Sequence, residues 1–325
     1  MFMVLAATLL TGSTGMPVVT DSAESRPITL DTPTGKLYGT ELLPAGSGRH
    51  PVVLIVAGSG PTDRDGNSPV PLPSGKPLHT DAYRLLAEAL AANGIASVRY
   101  DKRGVAASAS AMAGKSEIDL TFETGIQDAV AWLDLLRADR RFSSVVVAGH
   151  SEGSLVGMVA AARAKADGFV SLEGAGRRAS AVLRSQLAAQ GVPLEMYGTT
   201  LDTLDAGHTV NGTAPALAML FRPSVQPYLI SWFRYDPAAE IRKLSVATLV
   251  IQGTHDVQTS VQDAKLLAAA PGAKLVLVDG MTHVLKDGPA DATAQLAVYT
   301  DPSTPLDPTV VAAVVAYARA APQPR

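Results

Sequence analysis

The chain has 325 residues, 27 of them basic and 30 acidic, for a formal net charge of −3, and it contains no cysteine. Lack of cysteine excludes a disulfide framework, thiolate zinc and iron–sulfur sites, and a cysteine nucleophile. With no Lys/Arg block there is no electrostatic footprint for nucleic acid, and the length suits one large domain, with room for an insertion.

Residues 1–25 form an apolar N-terminal segment. Its first run, Met1 to Leu10, is long enough for a signal-peptide core but too short for a stable membrane span. No Lys or Arg precedes Arg26, and no small-x-small cleavage site follows. Export to a secreted or periplasmic location and retention in a cytoplasmic protein therefore both stay open. Ile28 to Pro44 reads as an antiparallel hairpin around Thr34-Gly35. Pro51–Val56 then reads as a buried strand, followed by a Pro/Gly-rich loop from Pro61 to Pro77, the longest in the chain. Thr80 is placed to cap a helix carrying Leu85, Leu86, Ala89 and Leu90, which Asn93-Gly94 ends.

From there short β-branched runs alternate with helical ones, the pattern of a mostly parallel sheet with helices on both faces. The strands fall at Ile95–Asp101, Ser144–Ala148, Phe169–Leu172, Ala247–Gln252 and Lys274–Val278. Ile126, Val130, Leu133 and Leu136 share one face of a covering helix, and Thr309 to Ala321 closes the chain as another.

The sharpest chemical signal is Gly149-His150-Ser151-Glu152-Gly153, directly between a strand and an alanine-rich helix. A nucleophile on so tight a turn is forced into a strained conformation, and small residues two positions either side let strand and helix approach. The turn exposes the Ser151 hydroxyl at a helix N-terminus. A serine hydroxyl is a weak nucleophile, so it needs a base and a partner that orients the base. Asp256 follows the Ala247–Gln252 strand and His283 follows Lys274–Val278, so both belong to turns at the same sheet edge as Ser151. Of the six histidines only His283 has this strand-then-turn placement; His50, His79, His150, His208 and His255 read as structural or surface residues. Glu173, after Phe169–Leu172, competes with Asp256 for the acid.

An oxyanion hole needs two backbone N–H groups, one expected from Glu152 and the other from Gly58-Ser59-Gly60, with Ser59 ahead of Gly60. A dinucleotide-binding reading of these glycines is weaker, because Pro61 and a long loop follow instead of a helix. Arg64 and Arg103 read as partners of structural ion pairs. No histidine accompanies Asp63 and Asp65 at ligand spacing, so the pattern calls for no metal and no cofactor.

From Pro51 to its C-terminus the chain resembles the α/β-hydrolases, and Gly58-Ser59-Gly60-Pro61-Thr62-Asp63-Arg64-Asp65-Gly66 is similar to a signature of small bacterial serine carboxylesterases. The resemblance implies an eight-stranded, mostly parallel sheet and hydrolysis of a small-molecule carboxylic ester through an acyl-enzyme. One departure is Ala57-Gly58, where such loops often begin His-Gly. The interval from Ser151 to Asp256 is longer than one helix, one strand and short loops require. The α/β-hydrolase core is therefore assigned to 26–173 and 245–325, and residues 174–244 to a helical cap supplying apolar walls to the pocket. Amide cleavage by a serine aminopeptidase and acyl transfer share every one of these motifs. A non-catalytic binding protein on the same fold is the reading of another class; oligomeric state is left open.

Overall fold

The computed structural model describes residues 22–322, so the apolar run at the N-terminus lies outside the described residues. A hairpin opens the fold: β1 (Glu24–Thr32) pairs antiparallel with β2 (Gly35–Leu43), with Thr32 opposite Gly35. Next comes β3 (His50–Val56). The long loop then carries a two-stranded ribbon, β4 (Ser68–Pro71) and β5 (Pro77–Leu78), where the sequence reads as irregular chain. Proline limits such a ribbon to short, edge-like pairing because it lacks an N–H.

Helix α1 (Ala82–Ala92) begins one residue later than the Thr80 cap expected, at Asp81, which has φ 52°. The Asn67 side chain accepts the N–H groups of Thr80 and Asp81 at 2.9 and 3.0 Å, which pins this left-handed turn. Thr80 Oγ1 still accepts from the Ala82 N–H, at 3.3 Å. There follow β6 (Ala96–Tyr100), α2 (Phe122–Ala138), β7 (Phe142–His150), α3 (Glu152–Ala164) and β8 (Gly168–Leu172).

Residues 174–244 hold short helices: α4 (Ala179–Ala189), α5 (Gly198–Asp205), α6 (Ala218–Phe221), α7 (Gln226–Phe233) and α8 (Pro237–Glu240). The chain returns through β9 (Thr248–Gly253), α9 (Val261–Ala268), β10 (Ala273–Val278), α10 (Leu296–Tyr299) and α11 (Pro308–Ala320).

The eight-stranded sheet has the order β1-β2-β6-β3-β7-β8-β9-β10, parallel from β6 onward. One core lies under α2, α3 and α9, around Trp132, Phe122 and Phe169. The other lies under α1 and α11, around Leu86, Leu90 and Val314. Helices thus cover both faces, which is why central strands such as β7 are buried at every position. Among the described residues no helix is long and apolar enough to cross a membrane. Since β3, β7, β8, β9 and β10 run parallel, their C-terminal ends gather at one edge, where ligands of open α/β sheets bind.

Candidate active site

Strand β7 delivers Ser151 to that edge. The backbone there has φ 55° and ψ −121°, a strained conformation costing on the order of 1–3 kcal/mol that the flanking elements must impose. The glycines make the imposition sterically feasible. A Cβ on Gly149 would sit 2.2 Å from the Gly153 carbonyl oxygen, and one on Gly153 would sit 2.3 Å from the carbonyl oxygen of Val56. Any side chain at either position would push the helix off the sheet. Ser151 N–H is held by the Leu172 carbonyl of β8 at 2.9 Å, and the residue stands at the head of α3. The N–H of Glu152, in the first turn of that helix, has no intrahelical acceptor by construction.

The turn after β9 carries Asp256, and the turn after β10 carries His283. His283 Nδ1 lies 2.7 Å from Asp256 Oδ2, both side chains being nearly or wholly buried. Asp256 Oδ1 also accepts from the N–H groups of Gln258 and Thr259, at 2.6 and 3.0 Å, and Oδ2 from the Thr259 hydroxyl at 2.8 Å. Burial pushes the Asp256 carboxyl up, but the attraction and hydrogen bond of His283, with the donors of Glu173 and Gln258, outweigh it and hold the group well below the usual carboxylate range. Ser151 and His283 border one cavity, without a hydrogen bond between their side chains among the described residues. Such a bond commonly tightens only when substrate is bound.

Glu173 lies behind this pair and does not accept from His283. It is fully buried at φ 50°, its Oε1 accepts the Gly253 N–H at 2.7 Å, and Gln252 donates to its Oε2. Burial first, and the charge of Asp256 second, raise its carboxyl well above the ordinary range, so it stands as a neutral acid beside an ionised one.

The loop after β3 brings Ser59 and Gly60 to the same cavity. Its Thr62–Gly66 continuation is a folded ion-paired turn: Arg64 bonds Asp101 at 2.6 Å, and Arg99 bonds Asp65 at 2.7 Å. Arg103 pairs with Asp128. These arginines hold carboxylates, in line with their structural reading. His150 and His255 are likewise engaged, with the His283 carbonyl and the Gly288 carbonyl, each at 2.7 Å.

The cavity measures about 270 Å³. Its apolar wall is Val70, Pro71, Leu72 and Leu78 of the ribbon, with Val284 and Tyr299. No residue of 174–244 borders it, and no Asp, Glu, Lys or Arg does, among the described residues. The walls expected from the helical segment thus come from the proline-rich loop. The segment's apolar side chains fill a core of their own, with Leu201, Leu204, Phe221, Leu229 and Phe233 fully or nearly fully buried. It reaches the site through Tyr228, whose hydroxyl donates to Glu152 Oε1 at 2.8 Å. Two neighbours escaped the sequence reading: Tyr83, which looks like a core aromatic of α1, and Lys102, hidden in the run Asp101-Lys102-Arg103. Lys102 Nζ donates to the Gly58 carbonyl, and burial lowers the pKa of its ammonium.

Residues 70–194 match the family described as serine aminopeptidase, S33. The esterase EstD of Thermotoga maritima is 27% identical over 291 residues, 84% of this chain and 63% of that protein, so the chain spans less than two thirds of its curated relative. Among solved structures, Est1E from Butyrivibrio proteoclasticus is similar with a TM-score of 0.56 at 16% identity, over 90% of this chain and 99% of that one. The Pyrococcus furiosus esterase Pf2001 gives a TM-score of 0.53 at 16% identity, over 92% and 93%. These two likenesses carry the fold. The chain has the α/β-hydrolase fold and is similar in sequence to an esterase.

Proposed function

We propose that the protein is a serine carboxylesterase with Ser151 as nucleophile, His283 as base and Asp256 as the acid that orients it. The observation that carries this reading is the buried 2.7 Å Asp256–His283 contact opening on the cavity that also holds the strained Ser151 turn. Asp256 accepts from Nδ1 and so leaves His283 Nε2 free to take the Ser151 proton as Oγ attacks the ester carbonyl. The tetrahedral oxyanion is received by the N–H groups of Glu152 and Ser59, each worth about 3–4 kcal/mol of barrier. Collapse passes the proton to the leaving alcohol, and water repeats the steps to release the acid. Helices 174–244 are read as a cap that meets the site through Tyr228 and Glu152, and the substrate as a small neutral ester, in keeping with a cavity that no Asp, Glu, Lys or Arg borders among the described residues.

The match to the serine aminopeptidase family favours one second reading, amide cleavage at a free N-terminus. An aminoacyl substrate carries an ammonium, and among the described residues no carboxylate borders the cavity to receive it. Turnover of p-nitrophenyl esters against aminoacyl p-nitroanilides separates the two. Faster cleavage of the anilides would sink the esterase reading, and failure of a fluorophosphonate to label Ser151 would sink both.

A further inference from the structure

The residue before the nucleophile, His150, takes no part in the mechanism above, yet it is the middle of an unbroken hydrogen-bonded chain. The Gly58 N–H donates to Tyr83 Oη at 3.1 Å, Tyr83 Oη meets His150 Nδ1 at 2.8 Å, and His150 Nε2 meets the backbone carbonyl of His283 at 2.7 Å. Each direction follows from its neighbour. A carbonyl only accepts, so His150 Nε2 bears the hydrogen. Nδ1 of the neutral ring is then an acceptor and takes the Tyr83 proton, which leaves a Tyr83 lone pair for Gly58. A second hydrogen on the ring would turn Nδ1 into a donor and leave the Tyr83 hydroxyl hydrogen without this acceptor. Burial first, and the neighbouring His283 second, push the His150 ring down to about 3, so that hydrogen is not taken up near neutrality. Burial keeps the Tyr83 phenol protonated.

Gly58 is held at its other end as well, where Lys102 donates to its carbonyl. The peptide that follows is planar and trans, so fixing that carbonyl turns the Ser59 N–H to the opposite side. The approach is close: a Cβ on Gly58 would lie 3.2 Å from Ser151 Cβ and 3.3 Å from His150 Nδ1.

We propose that His150 and Tyr83 are positioning residues that tie the oxyanion loop to the backbone of His283, setting oxyanion donor, nucleophile and base in one fixed relation. The inference rests on the serine-hydrolase reading of the site. The strand-end turns after β3, β7 and β10 are separate pieces of chain, and this relay joins all three at the cavity that Ser151 and His283 border.

The test compares Tyr83→Phe, His150→Phe and the double variant, with active sites counted by fluorophosphonate titration so that misfolded protein drops out. Each single variant is expected to lose about ten- to a hundredfold in kcat per titrated site, with KM nearly unchanged, because misplacement acts in the transition state. The double variant should be no worse than His150→Phe alone. Unchanged kcat in the titrated single variants would overturn the relay, and so would losses that multiply in the double. Should His150→Phe fail to fold, Tyr83→Phe, which removes a single oxygen, decides by itself. Nitrogen-15 shifts of the wild-type ring must also report a neutral His150 protonated at Nε2; the other tautomer or an imidazolium at pH 7 would overturn the proposal. A wild type that neither labels at Ser151 nor hydrolyses esters overturns the serine-hydrolase reading and the relay with it, whereas a labelled, active wild type with unaffected variants overturns the relay alone.

Discussion

Two stretches of chain interrupt the α/β alternation near the site, the proline-rich loop 61–78 and the helical segment 174–244, and they do opposite things. The loop buries little of itself: Val70 is 53% exposed, and its two strands share a ribbon away from the main sheet. Yet it forms the apolar wall of the cavity. The segment is far richer in aromatic residues, and it spends them on its own core and on α2, where Phe122 stacks on Trp232 at 5.8 Å and meets Tyr228 and Tyr235. It is also tied to the α/β core by Ile241, buried in the core under α2, α3 and α9, and by polar contacts, including Arg222 and Ser224 on Glu117, and Gln186 on the Gln258 carbonyl. Apolar side chains go where they bury the most area, so a segment large enough to make a core keeps them inside. A short loop with backbone held by proline cannot, and it presents them to the cavity instead.

That contrast gives ways to test both regions against the strand ends that flank them. If the chemistry belongs to the strand-end turns, Ser151→Ala and Asp256→Ala should each lower kcat by about 10⁴-fold or more with p-nitrophenyl esters, whereas Glu173→Gln, an amide for a neutral acid, should keep most activity. Equal losses in Asp256→Ala and Glu173→Gln would break the assignment of the acid.

Next in size, Leu72→Trp in the loop should shift acyl chain-length preference in kcat/KM by about 10- to 100-fold, the scale at which hydrophobic pockets discriminate methylenes. Met219→Trp in the segment, at a side chain 77% exposed, should shift it less than twofold. The opposite ranking would show that the segment, not the loop, forms the wall.

Tyr228→Phe removes the one hydroxyl donor to buried Glu152, which burial already pushes above its usual range. An unsatisfied buried acceptor costs about 1–3 kcal/mol, read as a fall in the urea midpoint.

Acidification should act on the sheet through His150, which is held neutral with its folded value near 3. Below about pH 6.5 the unfolded chain binds a proton that the folded chain refuses, so stability is lost as pH falls, by up to about 1.4 kcal/mol per unit. His150→Gln should flatten that slope, and an unchanged slope would refute the assignment. Smallest of all, Glu117→Ala should cost no more than about 1 kcal/mol, because its ion pair with Arg222 is more than a third exposed on both sides.

What could be read without the structure was whatever local chain chemistry decides. Glycines at 149 and 153 announce a strand-to-helix turn because no side chain fits there, and the alternation of apolar periods of two and about four announces a covered parallel sheet. Those signals were sufficient for the strands of the main sheet, the fold class and the turns that carry Ser151, Asp256 and His283, but not for the β4–β5 ribbon. The tertiary structure alone decided what depends on contact between distant pieces. Asp256, not Glu173, meets Nδ1 of His283, since only one of two neighbouring carboxyls can occupy that position. Tyr83 and Lys102 reach Gly58 from α1 and from the end of β6, by a strand order that the order along the chain does not reveal. The cavity wall likewise fell to the loop instead of the helices, because an apolar residue in a sequence is marked for burial and not for the partner against which it is buried.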